Sequence, residues 1–136
     1  VNAYTLMVAK TVYENKNLYR ERIREIRAER DKLVAAFKEL GFRVWPTATN
    51  FVTFRAEGEL MQQLAQAYNA KYKDSLAEQA ASGKLIFKYY MENSILVRDF
   101  TTHPVLTGCL RITVGLPEEN EQLISKLQAL CAEVKA

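Results

Sequence analysis

From Asn2 to Leu40 the apolar positions return at helical intervals, and in the second half Ile23, Ile26, Leu33, Val34, Phe37 and Leu40 recur at steps of three, four or seven residues along one stripe. That spacing predicts a long helix from about Asn2 to Leu40, with Asn15-Lys16-Asn17 as the place where it would break. Gly41 stops it, because glycine adopts the left-handed conformation that a helix end favours. The period then changes. Phe42-Arg43-Val44 opens a strand that ends at Pro46, Thr47 to Thr49 form a turn, and Asn50-Phe51-Val52-Thr53-Phe54-Arg55 alternates as its hairpin partner or neighbour.

Between Glu57 and Asn93 the pattern is helical but interrupted. Leu60, Leu64 and Ala67 share one face, Leu85, Tyr89 and Tyr90 a later one, and the small and polar run from Ala77 to Gly83 reads as a loose connection between two helices. A strand at Lys84 to Tyr90 stays open as an alternative, since Leu-Ile-Phe-Lys-Tyr-Tyr is rich in β-formers. Two short apolar strands follow, Ile95 to Phe100 and Cys109 to Val114, joined by a loop. The last helix begins at Pro117 and carries Leu123, Leu127, Leu130 and Val134 at helical spacing, with Glu118, Glu119 and Glu121 near the positive end of its dipole. Leu116, just before it, has no side-chain oxygen with which to cap the helix, a lack that costs about 1 kcal/mol unless another group substitutes. The element order predicts an α/β fold, a two-layer α+β sandwich whose small, mainly antiparallel sheet is covered on one face by helices.

Composition narrows the function classes. A chain of 136 residues is one domain's worth, long enough to bury roughly two thirds of its unfolded surface. No apolar run approaches the roughly 18 residues needed to span a bilayer, and no signal pattern is present, so no membrane partner is expected. Cys109 and Cys131 lie in a strand and on an apolar helix face, without metal spacing, and read as buried free thiols in a reducing, cytoplasmic compartment. The net charge of +3, from 19 basic against 16 acidic residues, is too mild for a nucleic-acid signature. The densest charge, Arg20 to Lys32, could be a basic surface or a solvated face laced by pairs such as Glu21 with Arg24 and Arg27 with Asp31. The acids interleaved among its bases favour the solvated face.

The chemistry is concentrated in the two late strands, each of which carries one arginine. A guanidinium never deprotonates and offers a planar fork of donors suited to a carboxylate or phosphate, so Arg98 and Arg111 together point to an anionic ligand. Alternation puts Arg111 with Cys109 and Thr113, opposite Leu110, Ile112 and Val114, and puts Arg98 with Leu96 and Phe100. By period alone each arginine could equally face solvent or pair with Asp99 or a glutamate. Asn50, which opens its strand, is either a substrate ligand or a residue that closes the turn. His103, the only histidine, stands in a loop beside Pro104, which excludes a histidine metal cluster or a triad with two histidines. Ser125-Lys126 falls inside the last helix without a flanking motif, and no glycine-rich loop has phosphate-binding spacing.

Three segments in this order also carry a family resemblance: Thr49-Asn50-Phe51-Val52-Thr53-Phe54-Arg55, then Ile95-Leu96-Val97-Arg98-Asp99-Phe100, then Gly108-Cys109-Leu110-Arg111-Ile112-Thr113-Val114-Gly115 with Pro117-Glu118-Glu119-Asn120. Together they resemble the C-terminal domain of the histidinol-phosphate aminotransferases, pyridoxal-phosphate enzymes of the aspartate-aminotransferase fold. The likeness runs from Val1-Asn2 nearly to the C-terminus and is weakest from about Gly58 to Lys88, where the chain is longer than the family needs. Threonine-phosphate decarboxylases and other aminotransferases share the layout, and the family tends to have Thr or Ser where Leu116 stands.

The resemblance implies that Arg111 holds the α-carboxylate of an amino-acid substrate such as glutamate, that Arg98 helps hold the phosphate of the other substrate, and that Asn50 lies near the substrate. It implies ping-pong amino transfer by a homodimer. Pyridoxal 5'-phosphate, its Schiff-base lysine and every catalytic residue would belong to a large domain, and residues 1–136 would be a fragment that anchors small-molecule substrate. Val1, which is not an initiator Met, fits that expectation. A free-standing module that binds an anion on the Arg98 and Arg111 face is the alternative of a different class.

Overall fold

Asn15 divides the N-terminal helix within the segment where the sequence places its break. In the computed structural model, which describes residues 1–135 and so leaves the final position of the expected 1–136 domain outside, α1 spans Ala3–Glu14 and α2 spans Lys16–Glu39. The Asn15 amide side chain donates to the Thr11 carbonyl at 2.8 Å, ending the first helix by local competition for its last carbonyls. At the other end Asn2 caps α1 by accepting the Thr5 N–H at 2.8 Å. Residues 1–25 are all exposed, whereas Leu33 and Phe37, further along the stripe of α2, are fully buried. On the charged face Glu21 meets Arg24 at 3.9 Å as expected. Asp31 does not follow the expectation. It pairs with its neighbour Arg30, 2.9 Å away, rather than with Arg27.

After Gly41, which has φ +94°, the chain forms β1 at Phe42–Val44 and β2 at Phe51–Ala56, then α3 at Gly58–Tyr72 and α4 at Glu78–Glu92. β3 at Arg98–Phe100, β4 at Cys109–Thr113 and α5 at Pro117–Lys135 complete the order. The four strands form one sheet in the order β1-β2-β4-β3 with every neighbour antiparallel. One face is packed against the helices: Val52, Phe54, Leu110 and Ile112 meet Leu33 and Phe37 of α2, Leu64 of α3, Ile86 of α4 and Leu127 of α5 in a single core. Phe54 sits at its centre, with ring centroids 4.5 Å from Phe37 and 5.5 Å from Phe42. This is the expected two-layer arrangement.

Two local expectations are corrected, and the open strand alternative at Lys84 to Tyr90 gives way to the helix that the pattern predicts. Ala80, Ala81, Ser82 and Gly83 are not a loose connection but the buried first turns of α4, and the connection lies at residues 73–77. Small residues are needed there for contact: a Cβ on Gly83 would come 2.5 Å from the Gly108 carbonyl oxygen and 2.7 Å from Thr101 Cγ2. The β-rich run Lys84 to Tyr90 is helical within α4, and the fully buried Tyr90 hydroxyl donates to the Leu123 carbonyl at 3.2 Å. Tertiary burial overrides intrinsic preference there. Finally, the strand expected at Ile95 to Phe100 is paired only over Arg98–Phe100, because Ser94 at φ +60° leaves Ile95 donating to the Tyr90 carbonyl at 2.8 Å instead of to the sheet.

Leu116 has its substitute. The Glu119 carboxylate reaches back to accept the Leu116 N–H at 2.8 Å, the reciprocal half of a capping box, and Asn120 accepts the Gly115 N–H at 3.0 Å.

Candidate functional site

Strand alternation sends every second residue of the sheet to the face without helices, and the register lines some of these residues up across it. Thr53 lies opposite Arg111, and Arg111 lies opposite Arg98. Trp45, just past the end of β1, extends this row, its N–H donating to the Thr53 carbonyl at 3.1 Å. The adjacent row begins with Arg43 opposite Arg55. Four arginines therefore share one open face, two of them, Arg43 and Arg55, in a row that the sequence alone does not single out. Arg43 and Arg55 were legible in principle, since each alternates with core residues on its strand.

The four are not equivalent. Glu57 takes Arg55 at 2.6 Å and Arg43 at 3.3 Å, and Trp45 offers its ring to both, with centroid distances of 5.4 and 4.8 Å. Hydrogen bonding from Arg55 holds the Glu57 carboxyl below its usual range, against burial and with further help from Arg43. Arg98 and Arg111 have no carboxylate partner among the described residues. They meet aromatic rings instead: Arg111 lies 4.6 Å from the Phe51 centroid and 5.4 Å from that of Phe100, and Arg98 lies 5.8 Å from Phe100. Like charges directly opposite in an antiparallel pair repel, and an anion placed between these two would offset that repulsion.

The alternative in which Asp99 neutralises an arginine is overturned by the same alternation. Asp99 lies opposite Leu110 on the helix-covered side, where Lys84 of α4 binds it at 2.6 Å. Burial there would raise its pKa, but the hydrogen bonds from Lys84 and Thr101 outweigh burial and leave the carboxyl below its usual range.

The other candidates separate from the arginine row. Asn50 is exposed just before β2, three residues from Thr53, and its carbonyl accepts the Val114 N–H at 2.8 Å, so its visible role is to extend the ladder. His103 organises the loop between β3 and β4: its Nδ1 accepts the N–H groups of Val105 and Leu106 at 3.2 and 3.3 Å, and its ring stands edge-on to Phe100 at 6.0 Å. Ser125 and Lys126 lie within α5. Cys109 and Cys131 are free and buried, and burial raises the pKa of both thiols.

Every lysine of the chain lies on a helix or at a helix end, none on the open face, and the face's acid Glu57 is already taken by two arginines. These residues do not supply the lysine and free acid that a Schiff-base cofactor requires. What the face can do is grip anionic groups. None of the helices is long and apolar enough to cross a membrane among the described residues.

Comparison with known proteins agrees with the resemblance in the sequence. The histidinol-phosphate aminotransferase of Shigella sonnei (strain Ss046) is 36% identical over 112 residues, which are 81% of this chain and 25% of that protein. That of Escherichia coli O81 (strain ED1a) is 35% identical over the same shares. The histidinol-phosphate aminotransferase of Chromobacterium violaceum is 30% identical over 130 residues, 94% of this chain and 30% of that protein. The chain thus spans about a quarter to a third of the length of the curated relatives it matches. Residues 3–127 match the model of the family described as aminotransferase class I and II. By that match over almost its whole length, this chain belongs to the class I and II aminotransferases.

Proposed function

We propose that this chain is the substrate-anchoring small domain of a pyridoxal-phosphate-dependent aminotransferase that moves an amino group between histidinol phosphate and 2-oxoglutarate in histidine biosynthesis. The observation that carries the reading is the Arg98–Arg111 pair, set directly opposite one another without a carboxylate partner among the described residues. The relatives named histidinol-phosphate aminotransferase support the choice of substrate. Their greater length supports a large domain elsewhere in the enzyme. The resemblance alone carries the further expectation of a cytoplasmic homodimer.

Arg111, on a central strand paired on both sides, holds the α-carboxylate of glutamate through a two-pronged contact. Arg98, on the edge strand, holds the phosphate of the second substrate. Phe51 and Phe100 flank the guanidinium groups, restrict their rotation and keep water from one side. Asn50 meets the substrate from the end of β2, outside the row. Pyridoxal phosphate, held by the remainder of the enzyme, supplies the electron sink for amino transfer. This chain binds and orients, leaving bond-breaking to the rest.

The test uses the cofactor-loaded full-length enzyme, whose visible absorbance changes when a substrate reacts. Histidinol phosphate and glutamate, added separately, each should change it. Arg111→Ala should impair the glutamate half-reaction, and Arg98→Ala should impair histidinol phosphate more than glutamate, with losses well above tenfold because removing one partner of a desolvated charge pair costs about 2 to 5 kcal/mol. Equal, small effects would refute the assignment. Carbon dioxide release from a phosphorylated amino acid would replace it with a decarboxylase.

A further inference from the structure

We propose that Lys84 and Asp99 form a positioning pair that sets Arg98 for the phosphate end of the substrate, a role that rests on the reading of Arg98 just given. β3 is three residues long, lies at the edge of the sheet and has β4 as its only strand partner. The residues before it have no strand partner: Leu96 is 85% exposed, and Ile95 and Val97 reach the core only as partly buried side chains. Arg98, the first residue of β3, is itself exposed. The sheet alone holds it on one side only.

The next residue supplies what the edge lacks. Asp99 projects to the opposite side of the strand, where one carboxylate oxygen takes the Lys84 ammonium at 2.6 Å and the other accepts the Thr101 N–H and hydroxyl at 2.8 and 2.6 Å. Thr101 is fully buried and closes on Gly83, the neighbour of Lys84, at a contact too tight for a Cβ. α4 is in turn fixed to the core through Tyr90 and Ile86. A rigid path therefore runs from the core through α4, Lys84 and Asp99 to the backbone of Arg98. Arg111 needs no such path, because strands pair with β4 on both sides.

This asymmetry makes the proposal testable in the full-length enzyme. Asp99→Asn keeps an oxygen for Thr101 but removes the charge that Lys84 binds, and Lys84→Met removes the pair from the helix side. Each should raise KM for histidinol phosphate about tenfold, a magnitude typical of a displaced binding group, while kcat and the glutamate half-reaction stay within about twofold. Inhibition by inorganic phosphate should weaken in parallel. The double variant should be no worse than either single one, since the two residues act as a unit. Lys84→Arg should restore the parent KM.

An unchanged KM in both single variants overturns the proposal, as does an equal loss in both half-reactions accompanied by a lower Tm, the mark of a purely structural pair. Additive losses in the double variant also overturn it. Arg98→Ala separates the two layers of inference. If it raises KM for histidinol phosphate and Asp99→Asn does not, only the positioning role fails. If Arg98→Ala itself has no effect, the function assigned to Arg98 fails first.

Discussion

The two faces of the sheet are made from alternate residues of the same strands, yet one holds the molecule together and the other does not. Phe54 and Leu110 point into the helices and are at most 1% exposed, whereas Arg98 and Arg111 lie on the far side, open to solvent in whole or part. Burying apolar area stabilises folding by about 25 cal/mol per Å², so the covered face contributes most of the favourable free energy. The open face runs against that trend by placing like charges side by side. A sheet built only for stability would not do so, and the difference is where the case for a ligand begins.

Phe54→Ala gives the largest expected effect on stability. Its ring is fully buried between Phe37 and Phe42, and truncating such a phenylalanine costs about 3 to 5 kcal/mol. Arg98→Ala, on the other face, should change stability by no more than about 0.5 kcal/mol, because an exposed side chain without an ionic partner has little to lose. Chemical denaturation of both variants checks the contrast. A loss in Arg98→Ala approaching that of Phe54→Ala would mean that the open face carries the fold as well.

Acid should act on both faces, and unequally. Asp99 on the covered side and Glu57 on the open side both have folded-state pKa values below those of an unfolded chain. The stability each contributes is therefore fully present above the ordinary carboxylate range, about pH 4, and is lost as pH falls through the depressed value. Asp99 is the more enclosed carboxylate, with a side-chain exposure of 23% against 42% for Glu57. Asp99→Asn should thus flatten the acid limb of Tm against pH more than Glu57→Gln. The reverse order would show that the two arginines on Glu57 outweigh its solvent screening.

Much of this contrast was legible in the sequence because a strand has a period of two. The alternation of Leu110, Ile112 and Val114 against Arg111 placed that arginine on the open face, and the three ordered segments carried the family. The Arg98–Arg111 register was not legible, since pairing across strands depends on where β3 begins, and Ser94 shortens it by a conformation unusual for a residue with a side chain. The buried start of α4 was misread for a related reason. Ala80 to Gly83 look like a linker by composition, but the four are buried, and the missing side chain of Gly83 serves a contact with Thr101 and Gly108, distant in sequence, that no local pattern records. Asp99 was read as a neighbour of Arg98 in sequence, whereas alternation separates the two side chains to opposite faces.

A loss well below that of Phe54→Ala is expected at the junction of the faces, where β4 passes into α5. Glu119 substitutes for the absent side-chain cap by accepting the Leu116 N–H at 2.8 Å. Glu119→Ala leaves that N–H to water and should cost about 1 kcal/mol, the usual worth of a helix cap. Leu116→Ser should then recover part of the loss by adding a hydroxyl at the cap position. Because β4 carries Arg111 and α5 packs on the covered face, the two variants also show whether the cap matters beyond stability. Unchanged affinity for glutamate in both, with stability moving as stated, would confine the junction to folding; a shifted affinity would show that the start of α5 helps set the end of β4.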